Sequence, residues 1–214
     1  MKAKSYMKMA LATFLTATTL LSNASEPKED KPIKSDMKEL KEVDGIKLKE
    51  LTYQLKVDAT PEQVWDVLAK YGNVASFHTI VAESSSIGGS GNEVTMGCER
   101  SCTIYDGKRR IDIKERVTEI EEGKYYRYEV YEWVNFPLKK MFVGFGVKKD
   151  EDGNTILYQV QNYRLKPSFL TGLMKGKLQK QQREALIVCK HYIETGEENP
   201  DLEKLLKMEK YKDV

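Results

Sequence analysis

This chain has little of what cross-links a fold, holds a metal or spans a membrane. Its 214 residues include three cysteines, two histidines and six prolines. Three cysteines are too few for a disulfide scaffold. Cys98 and Cys102 lie on one predicted strand, about 13 Å apart by strand rise, out of bonding reach. Two readings remain: either pairs with Cys189 in an oxidising compartment, or all three are small buried side chains. His78 and His191 belong to no H-x-x-x-H pattern and there is no C-x-x-C, so no metal is expected. Gly88-Gly-Ser-Gly91 precedes a strand and lacks the Lys-Ser/Thr of a phosphate loop. There is no G-x-S-x-G elbow, and nothing brings Cys98 or Cys102 to His78. No cofactor and no catalytic residue are assigned.

Long apolar runs are also scarce. Met9–Leu21 (MALATFLTATTLL) is apolar but short and holds four threonines, whereas a spanning helix needs about 20 apolar residues. Lys2, Lys4 and Lys8 precede it, and Ser22-Asn23-Ala24 follows with small residues at the −3 and −1 positions. That order predicts a signal peptide over residues 1–24 and an exported, periplasmic or secreted protein; retention as an anchor is the alternative. Removing three lysines leaves 32 basic against 33 acidic residues. A near-neutral chain carries no basic excess for a nucleic acid and gives no sign of a basic membrane-docking face. No stable membrane insertion is expected after cleavage.

Residues 25–47 are rich in Lys, Glu and Asp and read as a charged linker. The domain, residues 48–196, opens with Leu51, Tyr53, Leu55 and Val57 alternating with polar residues, a strand with one buried face. Thr60-Pro61-Glu62-Gln63 is a capping box with proline at the first helical position. Val64, Val67, Leu68 and Tyr71 follow at helical spacing, Gly72 stops the helix, and Asn73–Phe77 allows a second turn. Thr79–Ala82 is a short strand and SSSIGGSGN a flexible loop. Strands are then predicted over 93–105, 108–120, 125–133, 140–149 and 154–165. A helix follows over 168–195, with Leu170, Met174, Leu178, Gln181, Ala185, Val188, Cys189 and Tyr192 along its buried stripe. Residues 197–214 form a charged tail with room for one short helix after Pro200. An antiparallel sheet needs its apolar face covered, and only the long helix is large enough.

The stretch from Gly97 to Arg116 carries the main puzzle. With Asp106-Gly107 as a two-residue turn, Arg100 faces Ile113 and Cys98 faces Glu115. The apolar face of this hairpin then holds Arg100 and Glu115 as diagonal neighbours, and an unpaired buried charge is costly. In the next strand, YYRYEVYEW, simple alternation puts Tyr126, Tyr128 and Val130 on one face and Tyr125, Tyr131 and Trp133 on the other.

ATPEQVWDVLAKYGNVASFH, the Gly97-x-x-Arg100 … Asp106-Gly107 … Glu115-Arg116-Val117 hairpin, Phe136-Pro137 and the long final helix occur in a telling order. Together they resemble the SRPBCC (START-like) superfamily, and within it the polyketide cyclase/dehydrase and lipid-transport group, over roughly Leu48–Thr195. That family has tryptophan and proline where this chain has Phe77 and Thr79. The resemblance implies an α+β helix-grip fold: a curved antiparallel sheet of six to seven strands wrapped on the C-terminal helix, with two short helices after the first strand. It also implies a cavity between sheet and helix. The expected ligand-binding residues are Arg100, Glu115, Tyr128, His78, Phe77, Tyr158, Met174 and Gln181. A salt bridge that only fixes the hairpin register is the plainer role for Arg100 and Glu115. Gly172 and Gly176 weaken a helix and suggest close backbone approach or room for a ligand.

Three function classes follow. The first is a monomeric carrier of a hydrophobic small molecule: a lipid, an isoprenoid or an aromatic polyketide-like compound. The second is a cyclase or dehydratase, which needs a tuned acid or base among Arg100, Glu115, Tyr128 and His78. The third is a protein-interaction module, which predicts an exposed apolar patch.

Overall fold

A computed structural model describes residues 34–212 except Thr79 and Ser90. The signal peptide expected over residues 1–24 lies outside them. Nine strands are described: β1 (Glu42–Val43), β2 (Ile46–Lys47), β3 (Lys49–Val57), β4 (Val81–Ile87), β5 (Glu99–Asp106), β6 (Arg109–Glu121), β7 (Tyr125–Val134), β8 (Leu138–Lys149) and β9 (Thr155–Leu165). β1 and β2 form a hairpin of their own. The other seven make one antiparallel sheet in the order β3-β9-β8-β7-β6-β5-β4.

Between β3 and β4 come α1 (Pro61–Leu68) and a 3-10 segment, Tyr71–Phe77. The capping box forms as its residues predict. Gln63 N–H donates to Thr60 Oγ1 at 3.3 Å and Thr60 N–H to Gln63 Oε1 at 2.9 Å, so two otherwise orphaned donors are satisfied. The first four residues of SSSIGGSGN, Ser84–Ile87, read as part of a loop, belong to β4. Ser84 Oγ donates to Gly72 O at 2.9 Å and accepts from Ala75 N at 3.2 Å, stitching the 3-10 segment to β4. Gly72 allows that approach, since a Cβ there would collide with Ser86 and Asn92.

Side chains alternate across each strand. The inner face carries Leu51, Leu55 and Val57 of β3, Leu157 and Tyr163 of β9, Val143, Phe145 and Val147 of β8, and Tyr126, Tyr128 and Val130 of β7, all in one buried core with α1 and the final helix. That helix is broken. α2 (Leu170–Leu173) ends at Met174, and α3 (Lys175–Thr195) runs on to Gly196, whose left-handed φ of 74° ends it. From Leu178 the buried stripe steps by four, so Gln182 faces the sheet while Gln181, expected there, sits half-buried on the flank. Gln182 Nε2 donates to Leu51 O at 3.3 Å and Gln159 O at 3.0 Å, tying helix to sheet.

The C-terminal half of α3 is buried all round, because residues read as a loose tail fold over it. α4 (Leu202–Leu205) and α5 (Glu209–Lys212) bring Leu205 and Tyr211 into the core. Arg183 Nη2 donates to Tyr211 O at 2.9 Å, and His191 Nδ1 lies 3.2 Å from the Tyr211 hydroxyl. The supposed linker is likewise structured from residue 34. Met37 packs on the outer face against Tyr125, Tyr158 and Val160, in a socket left open by Gly144. Arg127 Nη2 donates to Lys38 O at 2.6 Å and Asn162 Nδ2 to Leu40 O at 3.2 Å, so the strap closes with backbone acceptors that its charged composition conceals.

Candidate functional site

The β5–β6 hairpin turns one residue later than expected, which shifts the pairing register by two. Asp106 pairs with Arg109, and Gly107 and Lys108 form the turn, with positive φ at glycine only. Glycine at the first central position with an ordinary second residue is the II′ pattern, which matches strand twist as well as Asp-Gly in a I′ turn does. The shift of two keeps every side chain on its expected face but puts Arg100 directly opposite Glu115. Arg100 Nε donates to Glu115 Oε2, with 2% and 3% of the two side chains exposed. This is a direct pair rather than a diagonal one.

Tyrosines complete the surroundings. Arg100 Nη1 donates to Tyr71 O at 2.7 Å, and the guanidinium carbon lies 4.0 Å from the centre of the Tyr71 ring and 4.9 Å from that of Tyr128. Tyr126 stands edge-on to Tyr71 at 5.7 Å and stacks on Tyr128 at 6.3 Å. Cys102 Sγ lies 3.9 Å from Glu115 Oε2. Burial pushes the guanidinium toward neutrality, but the charge of Glu115, with Cys102 and the tyrosines, outweighs it and holds Arg100 above its ordinary range. Burial raises the Tyr71, Tyr126 and Tyr128 phenols, and pushes the Cys102 thiol up to about 12, aided by Glu115. His78 is driven down to about 4, first by burial and then by the Arg100 charge. These six groups therefore hold fixed protonation states at neutral pH.

The structure gathers Arg100, Glu115 and Tyr128 into one cluster, with His78 within electrostatic reach. Phe77 lies in the same buried core and stacks on Tyr192 of α3 at 5.6 Å. Met174 is half-buried against the core at the start of α3. Tyr158 goes elsewhere. Strand alternation places it on the outer face with Asn162, under Met37 and opposite Gly146, whose missing side chain makes room for its ring. Gly172 and Gly176 have nothing within 4 Å of an added Cβ, so no backbone approaches them.

Sequence reading passed over Tyr71, Tyr126 and Gln182 as site residues. Tyr71 contributes its ring and also its carbonyl, which no side-chain pattern signals. Simple alternation groups Trp133 with Tyr125 and Tyr131, away from the face of Tyr126 and Tyr128. A bulge between Lys114 and Glu115 sets Glu115 opposite Val130 and Ile113 opposite Trp133, which returns Trp133 to the inner face. Beside it opens a recess of about 570 Å³, lined by Trp133, Leu138, Leu165, Pro167 and Ser168, with Lys139, Arg164 and Lys166 at its rim. Ile113 and Cys102 lie on the inner face between this recess and the Arg100–Glu115 pair. Among the described residues, no three His, Cys, Asp or Glu side chains gather to hold a metal ion.

Comparison with known proteins agrees with this architecture. A sequence search of curated proteins finds no match. Among solved structures, the crystal structure of Ara h 8.0201 aligns with a TM-score of 0.51 at 13% identity, over 68% of this chain and 97% of that one. A solution structure of a Thermobifida fusca protein gives 0.54 at 14% identity, over 67% and 92%. An uncharacterized protein from Bacillus thuringiensis gives 0.53 at 17%, over 68% and 98%. At such identities the likeness establishes the fold, a sheet gripping a long C-terminal helix. Residues 49–194 match the family described as polyketide cyclase / dehydrase and lipid transport. That is well over half of the sequence, and the chain belongs to this family, within the SRPBCC superfamily.

Proposed function

We propose that the domain binds one apolar small molecule with a polar head group, a lipid, an isoprenoid or an aromatic polyketide-like compound. The molecule enters at the Trp133 recess, and its head points toward the Arg100 cluster. The observation that carries this reading is a set of buried inner-side polar atoms without partners: Tyr71 Oη, His78 Nδ1, Gln161 Oε1 and Gln182 Oε1. Buried polar groups are as a rule hydrogen-bonded. A few such handles in a mostly apolar wall are what orients a ligand in a small-molecule site. Binding is favoured over catalysis because an acid–base catalyst works best with a pKa near ambient pH. His78 titrates at about 4, and Arg100 and the three tyrosines are held high. Export belongs to the same proposal, on the apolar Met9–Leu21 segment, and N-terminal sequencing of the recovered protein tests it.

The binding reading is tested by titrating a polyene fatty acid and a neutral polyene alcohol, each followed by energy transfer from tryptophan. One saturable site per chain is expected, at roughly micromolar concentration or below. The charged probe should weaken selectively when Arg100→Met is combined with Glu115→Leu. Absence of saturable transfer for both probes refutes the proposal.

A further inference from the structure

A second feature lies outside the Arg100 cluster. The turn Lys166–Ser168 runs beside the turn at Phe136-Pro137, with Lys166 N–H donating to Pro137 O at 2.8 Å. α2 follows directly and leaves Phe169 69% and Leu173 73% exposed. Four residues apart, these two side chains share one side of a helical turn. Leu170 and Met174 pack half-buried beneath them against the core. Scattered exposed apolar residues need no explanation, but a contiguous ridge does. Gly172 and Gly176 are exposed as well, with open space around any added Cβ. No packing need explains them, and they leave the flank of the ridge bare.

Charge identifies the partner. From Thr155 to Arg183 there is no aspartate or glutamate, while Arg164, Lys166, Lys175, Lys177, Lys180 and Arg183 fall in the same stretch. This occurs in a chain that carries 35 basic and 33 acidic residues in all. Lys177 is engaged by Asp106 at 2.6 Å and Lys180 by Glu184 at 3.7 Å. Among the described residues, Lys139, Arg164, Lys166 and Lys175 form no ion pair. Lys139, Arg164 and Lys166 line the recess, and Lys175 follows the ridge two residues after Leu173. Two large apolar side chains beside unpaired cations complement an anionic lipid surface: the apolar tips sink below the head groups and the lysines meet lipid charge. An apolar protein partner would match the ridge but not the cations beside it.

We propose that the α2 ridge, Phe169 and Leu173 with Lys139, Lys166 and Lys175, docks the domain peripherally on an anionic bilayer with the Trp133 recess facing the lipid. The docking stands on surface chemistry alone and does not require a molecule inside the domain. Net charge conceals it, because the basic stretch is offset by acids elsewhere in the chain.

The test uses the full chain carrying Phe169→Trp and vesicles of phosphatidylcholine with about one third phosphatidylserine, the zwitterionic lipid carrying bromine on its acyl chains. Subtracting the unsubstituted chain removes the emission of Trp65 and Trp133. Quenching of the new indole is expected with the anionic vesicles and is expected to be weak with phosphatidylcholine alone. Lys166→Glu with Lys175→Glu should weaken partition at least tenfold, since each basic residue near such a surface contributes a factor of about five. Vesicle binding without quenching would mean that another segment, such as Met9–Leu21, holds the protein, and would overturn the proposal. So would equal quenching on uncharged vesicles, or self-association lost with Leu173→Ser, which would assign the ridge to a second copy of the chain.

Discussion

Arg100→Met is the perturbation most directly calculable from the structure. Methionine retains much of the apolar stem but removes the charge opposite Glu115, which is 3% exposed. Stranding one member of a buried pair costs about 3–5 kcal/mol. Tyr71 O also loses the donor at 2.7 Å, and the contacts to the Tyr71 and Tyr128 rings lose their cation. These contributions overlap, so a total near the upper end, about 5 kcal/mol, is expected. For a domain of this size that lowers Tm by roughly 10–20 °C. Glu115→Leu alone should destabilise comparably. The double variant Arg100→Met/Glu115→Leu removes both charges and should recover to within about 2 kcal/mol of the parent, because a buried pair gains little over apolar replacements. Urea unfolding of the four proteins measures the cycle. A single-variant cost below about 1 kcal/mol, or a double variant as unstable as the sum of the singles, refutes a desolvated, mutually dependent pair.

Other consequences concern separate parts of the molecule. His78 is held down to about 4, below its unfolded value, so the unfolded chain binds the extra proton first. Stability should therefore fall as pH drops from about 6.5 toward 4, and His78→Asn should flatten the upper part of that decline in denaturation at stepped pH. Cys98, Cys102 and Cys189 are free and buried, and Cys102 and Cys189 are pushed up to about 12. A thiol reagent should find them unreactive in the native protein and find all three in denaturant. Gly172→Ala should stabilise by about 0.5–1 kcal/mol in thermal melts, since it lies in a short helix with open space at its Cβ. Met37→Ala should cost about 2–3 kcal/mol and loosen residues 34–47, seen as faster amide exchange there.

Local rules read the fold well because its signals are local. Thr60 and Gln63 cap α1 through neighbours three residues apart, and the alternation in β3 assigns its faces without tertiary information. Misreadings arose where one residue changes the count. The hairpin turn at Gly107-Lys108 instead of Asp106-Gly107 shifted the register by two, which leaves faces intact but changes partners. The bulge opposite Lys114 and Glu115 moved Trp133 across the sheet. Tyr158 was misplaced for a different reason. Both faces of β9 are buried, one under α3 and one under the strap around Met37, so burial pattern could not tell them apart. The strap and the α4–α5 segment were masked by composition, because their few anchors, Met37, Leu205 and Tyr211, sit among charged residues. Of the candidate site, Arg100 and Glu115 were visible as charges in an apolar alternation. The Tyr71 carbonyl that completes the arginine's shell leaves no trace in the sequence.

The central claim is that the inner face receives a small molecule, and native mass spectrometry of the full chain, followed by solvent extraction, tests it most directly. One apolar molecule per chain is predicted, released by the solvent and retained less well by Arg100→Met/Glu115→Leu. A bare protein mass after incubation with lipids, isoprenoids and aromatic compounds would contradict the account.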